Sequence, residues 1–267
     1  SNPTRIAIEL ANVQGGAGYN YTVVVTNQSN GCQNTAVVNV GDNKQIPSLT
    51  LTAVPNSICD PTKAVLGGAD YDGQVAAAIN TVGNYASSAA GDFNFTWSTG
   101  LSGVGQNILA NLDVGTYTVT AVHTATGCST NPHNAQVTSA KVLPVITMSS
   151  TPSQNCAGGA PDGVATVTNV IPNGRNYDYR WFEGNSTAGT PGPVELNTTL
   201  TTSSFANVQG GINGASFYQY TVEVTILQTG CVNTATVSVE DDSELPVLGP
   251  LAGTDNENCS PTKNGTA

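Results

Sequence analysis

Six cysteines, two histidines and two groups of clustered carboxylates are the residues of this chain whose types could do chemistry. The cysteines stand at 32, 59, 128, 156, 231 and 259. Consecutive ones are never in the C-x-x-C spacing that zinc or dithiol redox chemistry requires, so they point to structural disulfides. His123 and His133 lie in one stretch of the chain and have no counterparts elsewhere, which reads as two surface polar residues. Asp70-Tyr71-Asp72-Gly73 opens like a calcium loop, and Glu240-Asp241-Asp242 offers a second candidate for calcium. The first lacks the ladder of ligands and the distal Glu of a full loop. The second, with Glu244, lies at a junction between repeats where a bridging ion would make mechanical sense. Solvated acidic turns are the preferred reading of both. No nucleophile elbow, HExxH helix, Walker loop or dinucleotide fingerprint occurs. The expectation is no catalysis and no cofactor.

The elements that must position the cysteines come in copies. YTVVVTNQSNGC (Tyr21 to Cys32), YTVTAVHTATGC (Tyr117 to Cys128) and YTVEVTILQTGC (Tyr220 to Cys231) are one strand-and-turn written three times. A second series, Cys59, Cys156 and Cys259, precedes a turn at Asp72-Gly73, Asp162-Gly163 and Asn264-Gly265. The two tryptophans end aromatic runs, FNFTW at Trp97 and YDYRW at Trp181, and the tetrapeptides LANV, LANL and FANV precede the Tyr strands. Such a period indicates a tandem array. With boundaries at Pro47, Pro144 and Pro246, residues 1–46 are the end of one repeat, 47–143 and 144–245 are complete repeats, and 246–267 begin another.

Within a repeat, short β-branched and aromatic runs are separated by Gly, Asn, Asp or Pro, and no helical period is sustained. About seven strands in ~100 residues, with Trp in a middle strand and Tyr opening a late one, predict an all-β fold of immunoglobulin-like sandwiches arranged end to end. Trp97 and Trp181 then fill the core. Tyr21, Tyr117 and Tyr220 tie down the corner into the next-to-last strand.

Composition narrows the function. Charged residues are 9% of the chain, against about 25% in ordinary domains. The net charge is −11 with seven Lys plus Arg, which argues against nucleic acid as a partner. No apolar run is long enough to span a membrane. SNPTRIAIEL lacks the features of a signal peptide, so an export signal is expected outside this stretch. Sequons at Asn20, Asn27, Asn94, Asn185, Asn197 and Asn264 discriminate little in a chain so rich in Asn, Ser and Thr.

Three cysteine pairings compete. Chain neighbours such as Cys128 and Cys156 would be about two strand lengths apart, ~40 Å, whereas a disulfide needs Cα atoms within roughly 7 Å. Pairing within a repeat, Cys59 with Cys128 and Cys156 with Cys231, works if the segment after the first cysteine crosses the domain before its strand begins. Otherwise Cys59 reaches Cys231 of the next repeat. The within-repeat bonds are the expectation adopted, with Cys32 and Cys259 pairing beyond this sequence.

The order Cys, Asp-Gly, strand, aromatic-x-Trp, Leu/Val landmark, then Y-T-V-x-V-T ending in Gly-Cys resembles the SprB-type repeat. Trp97-Ser98-Thr99-Gly100, Gly115-Thr116-Tyr117-Thr118-Val119 and Thr126-Gly127-Cys128 carry the likeness. Such repeats are related in style to PKD and other bacterial immunoglobulin-like repeats, and they occur in large surface adhesins, including those of gliding motility. The resemblance implies export and a place at the cell surface, in a stalk or adhesive filament. Its partners would be adjacent repeats of the same chain and a surface polysaccharide or other cell-surface ligand. The alternatives are a sugar-binding or spacer module of a secreted enzyme, with Tyr19, Tyr71 and Tyr85 as candidate rings, and a surface-layer or phage-fibre protein.

Overall fold

The computed structural model describes residues 8–80, 88–156, 159–211, 217–259 and 261–266. Among them the regular structure is β-strand throughout, apart from one short 3₁₀ turn at Ala90–Asp92. The chain divides into two compact units. The first comprises Ser1–Ala53, Gln74–Ala110 and Gly115–Val137; the second comprises Val54–Gly73, Asn111–Val114 and Thr138–Ala267.

The strands are β1 (Asn20–Thr26), β2 (Gln33–Asn39), β3 (Ser48–Val54), β4 (Gly73–Asn80), β5 (Phe93–Trp97), β6 (Ser102–Val104), β7 (Ile108–Leu112), β8 (Gly115–His123) and β9 (His133–Val137). They continue as β10 (Val145–Thr151), β11 (Gly163–Ile171), β12 (Tyr177–Glu183), β13 (Thr190–Thr198), β14 (Ser203–Val208), β15 (Phe217–Ile226) and β16 (Cys231–Glu240). Two strand orders each occur twice. Sheet β3-β4-β7 has its counterpart in β10-β11-β14, and β6-β5-β8-β9 in β13-β12-β15-β16. Adding seven to each strand number converts one set into the other. The register agrees as well: Trp97 pairs with Val119, two residues after Tyr117, and Trp181 pairs with Val222, two residues after Tyr220.

Alternation explains why these runs form strands. In β5, Phe93, Phe95 and Trp97 are buried while Asn94 and Thr96 are exposed. In β12, Tyr177, Tyr179 and Trp181 are buried and the residues between them are not. In the second unit these rings share one apolar cluster with Ala165, Val167 and Val170 of β11, Val208 of β14 and Val222 and Val224 of β15. Both of that unit's sheets thus contribute one face to a single core. The polar ends of the rings are satisfied there, as buried groups must be. Trp181 Nε1 donates to Ser203 Oγ at 2.9 Å, and Tyr179 Oη donates to the Leu200 carbonyl at 2.9 Å. Burial pushes the Tyr220 phenol up to about 12.

The first strand pair repeats the pattern without the burial. β1 and β2 pair with Tyr21 opposite Val38, as β15 and β16 pair with Tyr220 opposite Val237. Yet Val23 and Val25 are 45% and 58% exposed, whereas Val222 and Val224 are at 0%. Both tyrosines close back on the loop before them. Tyr21 Oη donates to the Gln14 carbonyl and Tyr220 Oη to the Gln209 carbonyl, at 2.9 and 3.1 Å. Tyr117 is half-buried on β8. The Asn of each xANx tetrapeptide, Asn12, Asn111 and Asn207, has φ of 58°, 60° and 57°, a left-handed geometry that Asn tolerates better than other side chains.

Candidate functional site

The cysteines of the first series are presented by one recurring turn. In each copy the Gly before the cysteine is left-handed, and its N–H bonds the carbonyl four residues back: Gly31 to Asn27, Gly127 to His123 and Gly230 to Ile226, at 2.8, 2.8 and 2.7 Å. The cysteine therefore stands at a fixed place just beyond the hairpin tip.

Cysteines of the second series sit in a loop whose two ends are stapled together. The Asp72 carboxylate accepts from Ser57 N and Ser57 Oγ at 2.7 and 2.6 Å. Asp162 accepts from Ser153 Oγ, Gln154 N and Asn155 N. Asn264 accepts from Glu257 N at 2.9 Å. The Asp-Gly and Asn-Gly landmarks are thus the closing residues of three equivalent loops. Burial works against the Asp72 charge, but the Ser57 and backbone hydrogen bonds outweigh it and hold the carboxyl below its usual range. Asp162 is held low chiefly by the Gln154 N–H. A carboxyl depressed on folding stabilises the fold above its unfolded pKa of about 3.9, and this contribution is lost as pH falls through the lower folded value. Denaturant midpoints should therefore fall below about pH 4. Asp162→Asn, which supplies the uncharged acceptor already used at Asn264, should flatten that fall.

The stapled loop decides the disulfide. Cys59 bonds Cys231, with Cα atoms 4.9 Å apart, and both belong to the second unit. Cys32, Cys128, Cys156 and Cys259 are thiols. This corrects the expected within-repeat pairs, Cys59 with Cys128 and Cys156 with Cys231. Those pairs require the loop to cross the domain, but Asp162 draws the Cys156 loop back to Ser153. Ser153 in turn bridges Asp241, just past the end of β16, whereas Cys231 is the first residue of that ten-residue strand. At about 3.3 Å per residue the two cysteines lie ~30 Å apart.

Around the bond, the loop docks closely on the β15–β16 turn. Cys59 N donates to the Thr229 carbonyl at 2.8 Å and Leu66 N to the Leu227 carbonyl at 3.0 Å. Ala64, Ile58, Leu227 and Cys231 are buried. Asn56, fully buried, donates to the Ile58 carbonyl and to Asp113 Oδ1, which also receives Lys141 Nζ at 3.0 Å. A Cβ on Gly230 would collide with the Asp60 carbonyl, and its φ of +64° disfavours any side chain. Gly230→Ala should cost about 2 kcal/mol or more, from left-handed strain plus the lost approach. Denaturant unfolding of the oxidised chain measures it; an unchanged midpoint would mean that the turn yields freely.

The remaining candidates fall elsewhere. Asp70 Oδ2 accepts from Asn111 Nδ2 at 3.3 Å, and Asp241 Oδ1 accepts from Ser243 N at 3.1 Å. Glu240 gives its carbonyl to Ser153 N, and Asp242 N donates to the Ser153 carbonyl. Among the described residues no three His, Cys, Asp or Glu side chains are grouped to hold a metal ion. His123 is half-buried against Phe93 and bonds Thr126 Oγ1 through Nδ1, and His133 opens β9. Of the candidate sugar-stacking rings, Tyr19 is 44% exposed, and Tyr71 is half-buried with Lys141 Nζ 5.7 Å from its centroid. Tyr85 lies outside the described residues. A cleft of about 220 Å³ is lined by Lys63, Asp178, Arg180 and Glu223 among others. No helix among the described residues is long and apolar enough to cross a membrane.

Sequence reasoning held the Cys59–Cys231 link only as the alternative to the within-repeat pairs it favoured, and it missed the docking of residues 58–67 that accompanies the bond. One signal was present: the seven extra residues between Cys59 and Asp72, relative to Cys156 and Asp162, include Ala64 and Leu66, which meet the turn carrying Leu227. No protein-family model matches the chain, and no curated protein matches it.

Proposed function

We propose that this chain is a structural and adhesive segment of a long extracellular repeat protein, built of immunoglobulin-like sandwiches end to end and akin to the SprB-type repeats of bacterial surface adhesins. The observation that carries the reading is repetition at the level of strand order: β3 to β9 and β10 to β16 follow the same topology, and β1–β2 repeats the β8–β9 and β15–β16 hairpins. A disulfide suits an oxidising location outside the cytoplasm. The exposed valines of β1–β2 suit a face that opposing strands of the same repeat would cover. A surface low in charge and rich in Thr, Ser, Asn and Gly suits a filament whose behaviour changes little with salt. Its partners are neighbouring repeats and a cell-surface ligand such as a polysaccharide, and it has no catalytic role.

Antibody raised against the chain should label intact, unpermeabilised source cells, and brief surface proteolysis should remove the label. Signal confined to permeabilised cells overturns the reading. A gene in which the segment adjoins a hydrolase, instead of further repeats, would favour the spacer or sugar-binding module.

A further inference from the structure

We propose that the disulfides of this protein form an overlapping ladder, in which the loop cysteine of each repeat bonds the strand cysteine of the following repeat. The inference rests on the repeat reading above. Cys59 is the loop cysteine of residues 47–143, and Cys231 is the strand cysteine of residues 144–245; they are 172 residues apart. The features that set up this bond recur. The stapled loop of Cys59 has equivalents at Cys156 and Cys259, closed by Asp162 and Asn264. The hairpin that presents Cys231 has equivalents at Cys32 and Cys128, each with its left-handed Gly.

One rule then accounts for every thiol. Cys156 and Cys259 would bond strand cysteines of later repeats, and Cys32 and Cys128 would bond loop cysteines of earlier ones. All four partners fall outside these 267 residues, and these are the four cysteines that are unbonded. By the repeat period the partner of Cys156 would stand roughly 170 to 180 residues further on, as 172 residues separate Cys59 from Cys231. Local geometry opposes the alternative bond inside a repeat, because Cys156 and Cys231 are held near opposite ends of β16. Cys156 and Cys259 are exposed and accessible to a partner.

The consequence is mechanical. Successive bonds overlap, since the Cys59–Cys231 loop already encloses Cys128 and Cys156. Every sandwich is bypassed by a covalent link, and tension passes through the bonds and the short connectors Cys32 to Cys59, Cys128 to Cys156 and Cys231 to Cys259. Each bond forms by exchange with a small disulfide such as oxidised glutathione. One thiolate attacks it and releases a glutathione thiolate, and the second thiolate attacks the mixed disulfide and releases another. Two cysteine thiols are oxidised and one disulfide is reduced to two thiols.

Non-reducing peptide mapping of the natural full-length polypeptide should link the Cys156 peptide to a Gly-Cys hairpin peptide of the next repeat. A Cys128–Cys156 link, or Cys156 recovered as a thiol, overturns the ladder. A spliced chain tests the rule independently of how many repeats the natural protein has. Residues 1–265 are followed directly by a second copy of 164–245, joining the equivalent positions Gly265 and Gly163, and the product is oxidised in a glutathione buffer. The ladder requires bonds from Cys59 to Cys231 and from Cys156 to the added copy of Cys231, with Cys32, Cys128 and Cys259 alkylated. A bond from Cys259 to the added cysteine, or an added cysteine left as a thiol while Cys59–Cys231 forms, overturns it. If the splice does not form even Cys59–Cys231, the full-length map decides.

Discussion

Cys59→Ala lowers the stability of the oxidised second unit by about 5 kcal/mol, the chain-entropy value for a loop of 172 residues. The origin is the unfolded state. With the bond intact, the unfolded chain keeps residues 59 and 231 together and so has less entropy to gain. Cys128→Ala and Cys156→Ala, which remove unbonded thiols, should change stability by no more than about 0.5 kcal/mol. Guanidinium unfolding, followed through Trp181 emission in a Trp97→Phe background, measures all three. A further readout is length: a chain pulled from its ends should release about 600 Å more contour when reduced than when oxidised, because the bond hides 172 residues. Equal contour lengths, or an unchanged midpoint for Cys59→Ala, would rule out this clamp in solution.

Trp181→Ala should cost ~3 to 5 kcal/mol, the range for emptying a large aromatic site in a core that only partly collapses. The ring is at 0% exposure and packs edge-on to Phe205 with centroids 6.2 Å apart. Truncation also strips Ser203 Oγ of the indole donor, although Ser203 still donates to Glu195 Oε1 at 2.6 Å. Trp181→Phe keeps most of the volume and loses the N–H, so it should cost less than half as much. Trp97→Ala should behave like Trp181→Ala, because Trp97 is 2% exposed and donates Nε1 to the Gln106 carbonyl at 2.7 Å. Urea unfolding of the variants tests this. A loss below about 1 kcal/mol for either Ala variant would mean that the ring contributes little to its core, and would reopen a role in sugar stacking.

The repeat reading and the chemistry of the cysteines meet at Asp72, Asp162 and Asn264. As sequence, the Asp-Gly at 72 and 73 resembled the start of a calcium loop, with a solvated acidic turn as the preferred reading. In the fold the carboxylate is spent on Ser57, and the same contact appears at all three copies with Asp or Asn. An acceptor that can be carboxylate or carboxamide is doing the work of a hydrogen bond, for which charge is optional.

What the sequence by itself determined is everything that depends on neighbours along the chain. Period-two burial in FNFTW and YDYRW follows from the strand alternation of their rings, so the all-β character was legible. The recurrence of each landmark was legible for the same reason, because periodicity is read along the chain; that the Gly before each strand cysteine is left-handed emerged only with the fold. What only the tertiary structure decided is which cysteine meets which. The answer depends on whether the loop after Cys59 crosses its domain or closes on itself, and that choice is made by contacts across many residues. Asp72 draws back to Ser57, Ser153 bridges Asp241, and the Ala64 segment settles on the Leu227 turn. None has a signature at any one position, because a hydrogen bond between residues 15 apart and a disulfide between residues 172 apart depend on where strands end in space.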